Sequence, residues 1–550
     1  MKKLVIYLSL LVAASQYGCK KFLDITPIDK LTGNNFYQTV DDVEANINQM
    51  YGSLYSKYSQ TATAAITGEA RSGEVIPANQ ASEIDRWAGR VGGHTRIAPN
   101  PSGNTTPQTI PGSSYNDYTG IEDLLDPDRP YSYNRNGSLD WARYNFRSIM
   151  NWNPYYQVIQ SANILVGKLE EGIPALNDAQ TRRYIAEAKF IRNFCYLTLV
   201  RLYGDVVYYT KPFQKDPLPR ENMVSVVNKC IADMKANYKD LPRKFTDPSL
   251  RGVRATQGAA IGLMMHLNMW NAGFDLNNRP AYWSETAALG QELITNGDFR
   301  LLDISEWSTV TKGRSEESLF ELFNTINYNI GGGFAANPRD FGYSFTHFPY
   351  RRPEYVSRFN YNIFTEEYMR KLYPDQTSPD LRLNTWFVAP FDQNNTTFQL
   401  LKFAGNTLNT GQGPDDALAA DNSYLIMRYA DAVLLAAEAN ANLGNDNDAI
   451  AQLQIVRKRA SVPAFPGAPG DTRGLKDAIF WERAKELMGE GHRYFDLVRT
   501  RRIMNREYAD NILTTDKFNR GAWTWPIEKS ARNNNPYMTL NQYWQNLRNN

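Results

Sequence analysis

Glu482, Glu486 and Glu490 recur at every fourth residue near the end of the chain, which on a helix sets three carboxylates along one face. Glycoside hydrolysis would need an acid and a base facing each other across a cleft, and carboxylates stacked on one helix face do not supply that separation. Such a stack repels itself unless cations answer it. Arg483, Arg493 and Arg499 are close in the chain, and Arg428, Arg457 and Arg459 lie on the preceding helical pair. The expectation is a structural ion network that fastens the last long helix to the hairpin before it.

Other reactive patterns are missing from the sequence. The four histidines, His94, His266, His347 and His492, do not pair at a metal-ligand spacing, and there is no nucleophile elbow, phosphate-binding loop or dinucleotide fingerprint. No metal, no cofactor and no catalytic residue is expected. Gly331 to Gly333 reads as a flexible turn, and Asp446-Asn-Asp448 as a turn between helices. Cys195 and Cys230 sit in apolar helical stretches and read as buried free thiols, with a single disulfide as the alternative. Sixty basic and 58 acidic residues leave a net charge of +2, which gives no footprint for nucleic acid.

Binding is the chemistry that remains. Sugars present apolar C–H faces and hydroxyl rims, so a site for them needs flat aromatic rings beside planar hydrogen-bonding groups. Two loop regions offer both. The first holds Glu69, Arg71, Asp85, Trp87 and Arg90; the second holds Tyr328, Tyr343, His347, Tyr350, Arg351 and Arg352. The candidate ligand-binding set is Arg71, Asp85, Trp87, Arg90, Tyr328, Tyr343, Tyr350 and Arg352. Aromatic residues make up 13% of the chain, which suits ring platforms and a large core equally.

Positioning such loops requires a scaffold, and the periodicity is helical. Helices are expected over Asp41–Tyr58, Tyr155–Leu169, Asp178–Leu202, Glu221–Tyr238, Arg254–Trp270, Trp283–Thr295, Tyr424–Leu443, Asp446–Ala460 and Leu475–Met488. Leu434 to Ala460 reads as a helical hairpin of tetratricopeptide type. Small Ala437 and Ala449 fall where its helices must approach closely, and Leu443-Gly444 ends the first helix. Arg254 to Thr295 reads as a looser copy, and such hairpins bury their apolar faces by stacking. Between them run long irregular stretches rich in Gly, Pro, Asn and aromatics, notably Thr67 to Asp140, Tyr328 to Tyr361 and Phe387 to Asn422. Loops of that length are usually functional.

The start of the chain reads as an export signal. Lys2 and Lys3 precede the uncharged run Leu4 to Ala14, which is too short to span a bilayer. Gly18 then precedes Cys19. A cysteine there suggests cleavage before it and lipidation at Cys19, leaving a protein anchored at one end. The alternative is a plain secretory signal.

Four segments resemble the SusD/RagB family. They are Cys19-Lys-Lys-Phe-Leu-Asp-Ile-Thr-Pro27 with the helix from Asp41; Ala186 to Asp205, reading AEAKFIRNFCYLTLVRLYGD; Tyr424 to Ala439, reading YLIMRYADAVLLAAEA; and Trp481 to Arg499, reading WERAKELMGEGHRYFDLVR, followed by Trp525-Pro-Ile-Glu528 and Asn535-Pro536. Gly489 stands where the family usually has a bulky residue. The resemblance implies a mainly α fold in which tetratricopeptide-like hairpins support a loop-rich, variable ligand-binding half. Residues 1–18 would be the lipoprotein signal and 19–550 a single SusD-like domain. The helical scaffold would lie at about 19–66, 149–300 and 424–550, with loop-rich insertions at about 67–148 and 301–423. It also implies a lipid-anchored protein of the outer membrane of Bacteroidetes-type bacteria, facing the exterior. Such a protein binds oligosaccharide, or peptide in some members, and delivers it to a SusC-like TonB-dependent transporter. A surface-anchored glycoside hydrolase is the rival outside the family's role.

Overall fold

A computed structural model describes residues 36–59, 67–77, 149–325, 362–364, 366–388, 390–391, 399–403, 422–533 and 535–546. Most of these are helical. Helix α1 is Val40–Ser59, α2 Asn153–Glu171, α3 Asp178–Tyr203, α4 Met223–Asn237, α5 Gln257–Phe274 and α6 Arg279–Asn296. Local signals set their ends. Asn177 and Gln180 form a reciprocal capping box at the start of α3, which satisfies two otherwise orphaned N–H groups. Pro154 opens α2, where a missing N–H costs nothing. Pro280 opens α6, so this helix begins before Trp283, the expected start.

Towards the C-terminus, α10 is Tyr429–Leu443, α11 Asp446–Arg459, α12 Leu475–Glu486 and α13 Arg493–Arg499. Three short helices precede them: α7 (Trp307–Lys312), α8 (Glu366–Leu372) and α9 (Leu381–Trp386). The hairpin turn between α10 and α11 takes Gly444 to a φ of 83°, a left-handed value that glycine adopts without strain.

The helices pack as stacked hairpins. α1 lies on α2, α2 on α3, α3 on α4 and α4 on α5. α5 pairs with α6, α6 rests on α10, and α10 pairs with α11 and supports α12. The two hairpins anticipated at 254–295 and 434–460 therefore stack directly, through α6 and α10. Their seam is tight: a Cβ on Gly290 would stand 2.3 Å from the Cβ of Ala436. Ala437 and Ala449 are fully buried, as the hairpin reading required. A continuous apolar core joins residues from Tyr37 to Trp544.

Part of one expected helix is a strand. Tyr424–Arg428 pairs antiparallel with Ser318–Leu322, and α10 begins only at Tyr429. The run YLIMR carries helix and strand character alike, and the partner that decides for a strand lies a hundred residues away. Phe320 on the facing strand lodges among Tyr51, Phe190 and Phe194, with ring centroids 5.2 Å away for the two phenylalanines. Segments inside the expected loop-rich ranges thus contribute to the core. Residues 67–69 and 71–74 are buried as well.

Cys195 and Cys230 are buried free thiols. Cys19 and the export signal lie outside the described residues. Among those described, no helix is long and apolar enough to cross a membrane.

Candidate functional site

The two regions expected to bind ligand share one root. Val75–Pro77 pairs antiparallel with Asn362–Phe364, in the register Val75 to Phe364, Ile76 to Ile363 and Pro77 to Asn362. The chain leaves this ribbon at Pro77 towards Asp85, Trp87 and Arg90, and returns to it at Asn362 from Tyr328, Tyr343, Tyr350 and Arg352. Those seven residues, together with His94, His347, Arg351 and Gly331 to Gly333, lie outside the described residues.

Arg71 requires a correction. It is fully buried and cannot present its head group to a ligand. Its guanidinium donates to the carbonyl oxygens of Ala522, Trp523 and Thr524 at 2.8 to 2.9 Å. The same group lies 4.9 Å from the ring centre of Tyr494 and 5.0 Å from that of Trp525. Arginine suits this place because its planar fork answers several carbonyls while its faces rest on aromatic rings. Glu69 is buried too. Its carboxylate accepts from the Gly491 N–H at 2.8 Å, and burial pushes its pKa up to about 8.

These residues form the floor beneath the ribbon. Glu74 accepts two hydrogen bonds from Arg493, at 2.9 and 2.6 Å. Burial opposes the charge on Arg493, yet the Glu74 carboxylate holds its guanidinium above the ordinary range. Gly68 crosses Gly491 at backbone contact, and Gly491 and Gly489 take φ values of 84° and 78°. The bulky residue absent at Gly489 has a counterpart: the Phe403 ring lies where a Cβ on Gly489 would begin, 2.6 Å away.

Below the floor the three glutamates are paired with cations, as expected. Glu482 meets Arg382 at 2.6 Å and Arg457 at 3.2 Å. Glu486 meets Arg428 at 2.6 Å, Arg382 at 3.1 Å and also Arg459. Glu490 meets Lys402 at 2.6 Å and Arg428 at 2.7 Å. Arg428 further reaches Glu317 at 2.6 Å. Burial alone would raise all three carboxyls, but the surrounding guanidinium and ammonium groups bring them below the ordinary range. A general acid needs the opposite shift and access to substrate, so this trio works as structure. The sequence missed Arg382, Lys402 and Glu317, which join from distant segments. It also misassigned the local arginines: Arg483 serves Asp431 and Asp496, Arg493 serves Glu74, and Arg499 serves Glu438 and Asp496.

One cluster has metal-like composition. His266, Asp431 and His492 bring ligand atoms within 4.8 Å of one another, all buried. The lone pairs of His266 and Asp431 have other uses. His266 Nε2 is 2.6 Å from Asp431 Oδ2, and Arg201 lies 2.8 Å from His266 Nδ1. Arg201 can only donate, so Nδ1 accepts and Nε2–H donates to the carboxylate. Arg483 approaches Asp431 Oδ1 at 2.9 Å. Two guanidinium groups at the cluster oppose a further cation, so the chemistry fits a closed polar relay better than a metal centre. Burial pushes the His266 pKa down to about 4. No spacing rule would reveal this cluster, because α5, α10 and the turn before α13 each supply one member.

Comparison with known proteins gives consistent matches. A family model described as the SusD family matches residues 357–544, and one described as starch-binding associating with outer membrane matches 113–267. A crystallised SusD homologue from Bacteroides thetaiotaomicron is similar over 92% of this chain and 99% of its own, with 32% identity and a TM-score of 0.73. SusD-like protein P38 of Formosa agariphila is 25% identical over 71% of this chain and 79% of its own length. A laminarin-binding SusD-like protein shares the fold, with a TM-score of 0.63 and 21% identity over 92% of this chain and 99% of its own.

Proposed function

The chain belongs to the SusD/RagB family, and from that premise we propose that it captures oligosaccharide at the cell surface and delivers it to a SusC-like TonB-dependent transporter without chemical turnover. The observation that carries this reading is the ribbon pairing Val75–Pro77 with Asn362–Phe364. It roots two long segments side by side, one with Trp87, Asp85 and Arg90 and the other with Tyr328, Tyr343, Tyr350 and Arg352. Rings and planar polar groups carried on two such segments would suit a sugar's apolar face and hydroxyl rim. The fold shared with a laminarin-binding protein supports a glycan as ligand. Acylation at Cys19 would hold the protein to the outer membrane by its N-terminal end, leaving the folded part free to meet the transporter.

Calorimetric titration tests the reading. Soluble protein beginning at Lys20 is titrated with a panel of oligosaccharides and peptides, beside a Trp87→Ala variant. Binding of one glycan class, lost in the variant and without hydrolysis of the sugar, is the expected result. Binding of peptides alone would overturn the glycan as ligand, and turnover of the sugar would overturn the purely binding role.

A further inference from the structure

A cavity of about 560 Å³ opens between α8, the segment around Pro469 to Arg473, and α12. Its wall carries many charges, and nearly all are answered. Asp471 and Glu482 are held by Arg457 at 2.7 and 3.2 Å. Lys371 meets Asp510 at 2.8 Å and Glu367 at 3.5 Å. Arg473 pairs with Glu507 at 3.1 Å. Asp375 is occupied by the backbone N–H and hydroxyl of Thr377.

Lys485 is the exception. Its ammonium makes no hydrogen bond or ion pair among the described residues, and its one close aromatic neighbour is the Tyr373 ring at 5.2 Å. Its side chain is half-buried at the cavity wall. Burial lowers its pKa, with Glu482 opposing that shift from a neighbouring turn of the helix. The indole N–H of Trp481, on the same wall, likewise lacks an acceptor. An ammonium without an acceptor therefore stands beside the apolar side chains of Leu372, Pro374 and Trp481.

We propose that this cavity is a second ligand site, built between α8 and α12, which takes a small acidic sugar of hexuronate type. The carboxylate would sit on Lys485, and a C–H face of the pyranose ring would rest on the apolar wall. The volume lies in the usual range for small-molecule sites, roughly 300 to 1,000 Å³. A carboxylate supplies the acceptor that the wall lacks, since a charge-assisted hydrogen bond to an ammonium is among the stronger polar contacts. None of the loop residues named above as candidate ligand contacts lines this cavity, although Glu367 to Asp375 fall within the second loop-rich range.

The test titrates D-glucuronate, D-glucose and acetate into the Lys20-start protein, into Lys485→Met and into Trp87→Ala. Glucuronate is expected to bind the parent and Trp87→Ala alike, and Lys485→Met at least tenfold more weakly, while glucose does not bind. Equal binding of acetate and glucuronate would mean an adventitious ion only and would overturn the sugar site. No glucuronate binding, or binding unchanged in Lys485→Met, would overturn it too. A second readout needs no loss of charge: in the reductively ¹³C-methylated protein, the Lys485 resonance, assigned by its absence in Lys485→Arg, shifts on adding glucuronate. A resonance that stays still overturns the proposal.

Discussion

Gly68 and Gly491 cross so closely that a Cβ on Gly68 would stand 2.0 Å from the Gly491 carbonyl oxygen. The first loop's root and the turn after α12 are thus locked backbone to backbone. A Gly68→Ala substitution must push the two segments apart, because backbone cannot rotate away as a side chain can. Overpacking of this kind costs about 1 to 3 kcal/mol or more. The expected outcome is a lower thermal midpoint with faster proteolytic cleavage after Pro77. An unchanged midpoint and cleavage rate would show that the crossing is looser than the distance states.

Arg428 is a heavily shared cation of the buried network, facing Glu317, Glu486 and Glu490 at once. Arg428→Leu leaves those carboxylates short of a partner in a place water does not reach. Removing one side of a buried pair typically costs about 3 to 5 kcal/mol. Arg300→Ala, which breaks an exposed pair with Glu316, should cost less than about 1 kcal/mol. Urea unfolding of the two variants measures the contrast, and similar costs would refute the assignment of the glutamates to structure.

Acid should weaken the fold through His266. Its folded pKa is depressed to about 4 from an ordinary 6.5, so the unfolded chain binds more protons across that window. Stability then falls as pH drops from about 6.5 to 4. The buried neighbours His492 and Asp431 are depressed as well, which has the same sign. Glu69 works in the opposite direction: raised to about 8, its contribution is complete below about 4.5 and is lost as pH climbs towards 8. Comparison with His266→Gln separates the two effects. Wild-type stability should decline relative to the variant between pH 6.5 and 4, by an amount of the order of 3 kcal/mol. Parallel profiles would mean that His266 is already protonated in the fold.

The stacked hairpins meet at Gly290 and Ala436. Gly290→Ala alone should destabilise, since two methyl carbons cannot occupy a 2.3 Å gap. Ala436→Gly should recover part of that loss despite its own helix cost of about 1 kcal/mol. A double-mutant cycle reads the coupling directly, and a value of about 1 kcal/mol or more is expected for residues in contact. Additive effects would place the seam elsewhere.

The helices were legible because periodicity is local. Asp178–Tyr203 came within one residue of its expected end, and its capping box is formed within four residues. Tyr424–Arg428 was illegible for the converse reason: its strand partner, Ser318–Leu322, lies across the chain. The same division runs through the site. The cations for the glutamates are anticipated at Arg428, Arg457 and Arg459, although Arg428 ends the strand before the hairpin instead of standing on it. Arg382 and Lys402 come from segments with no periodic signal to place them. Arg71 has the composition of a ligand contact and the position of a strut, and only its contact with residues 522–524 separates the two.

Order of assembly follows from the ribbon. Val75 waits for a partner at Phe364, and Arg71 for carbonyls as far away as Thr524, 453 positions on. Hairpins such as α10 with α11 close over a few residues and can form as soon as they emerge. Contacts between remote segments come later, since closing a long chain costs entropy before any contact repays it. The ribbon and its footing are therefore the last part to be completed, and a chain cut short before Ala522 would keep its hairpins and lose the footing of its first loop.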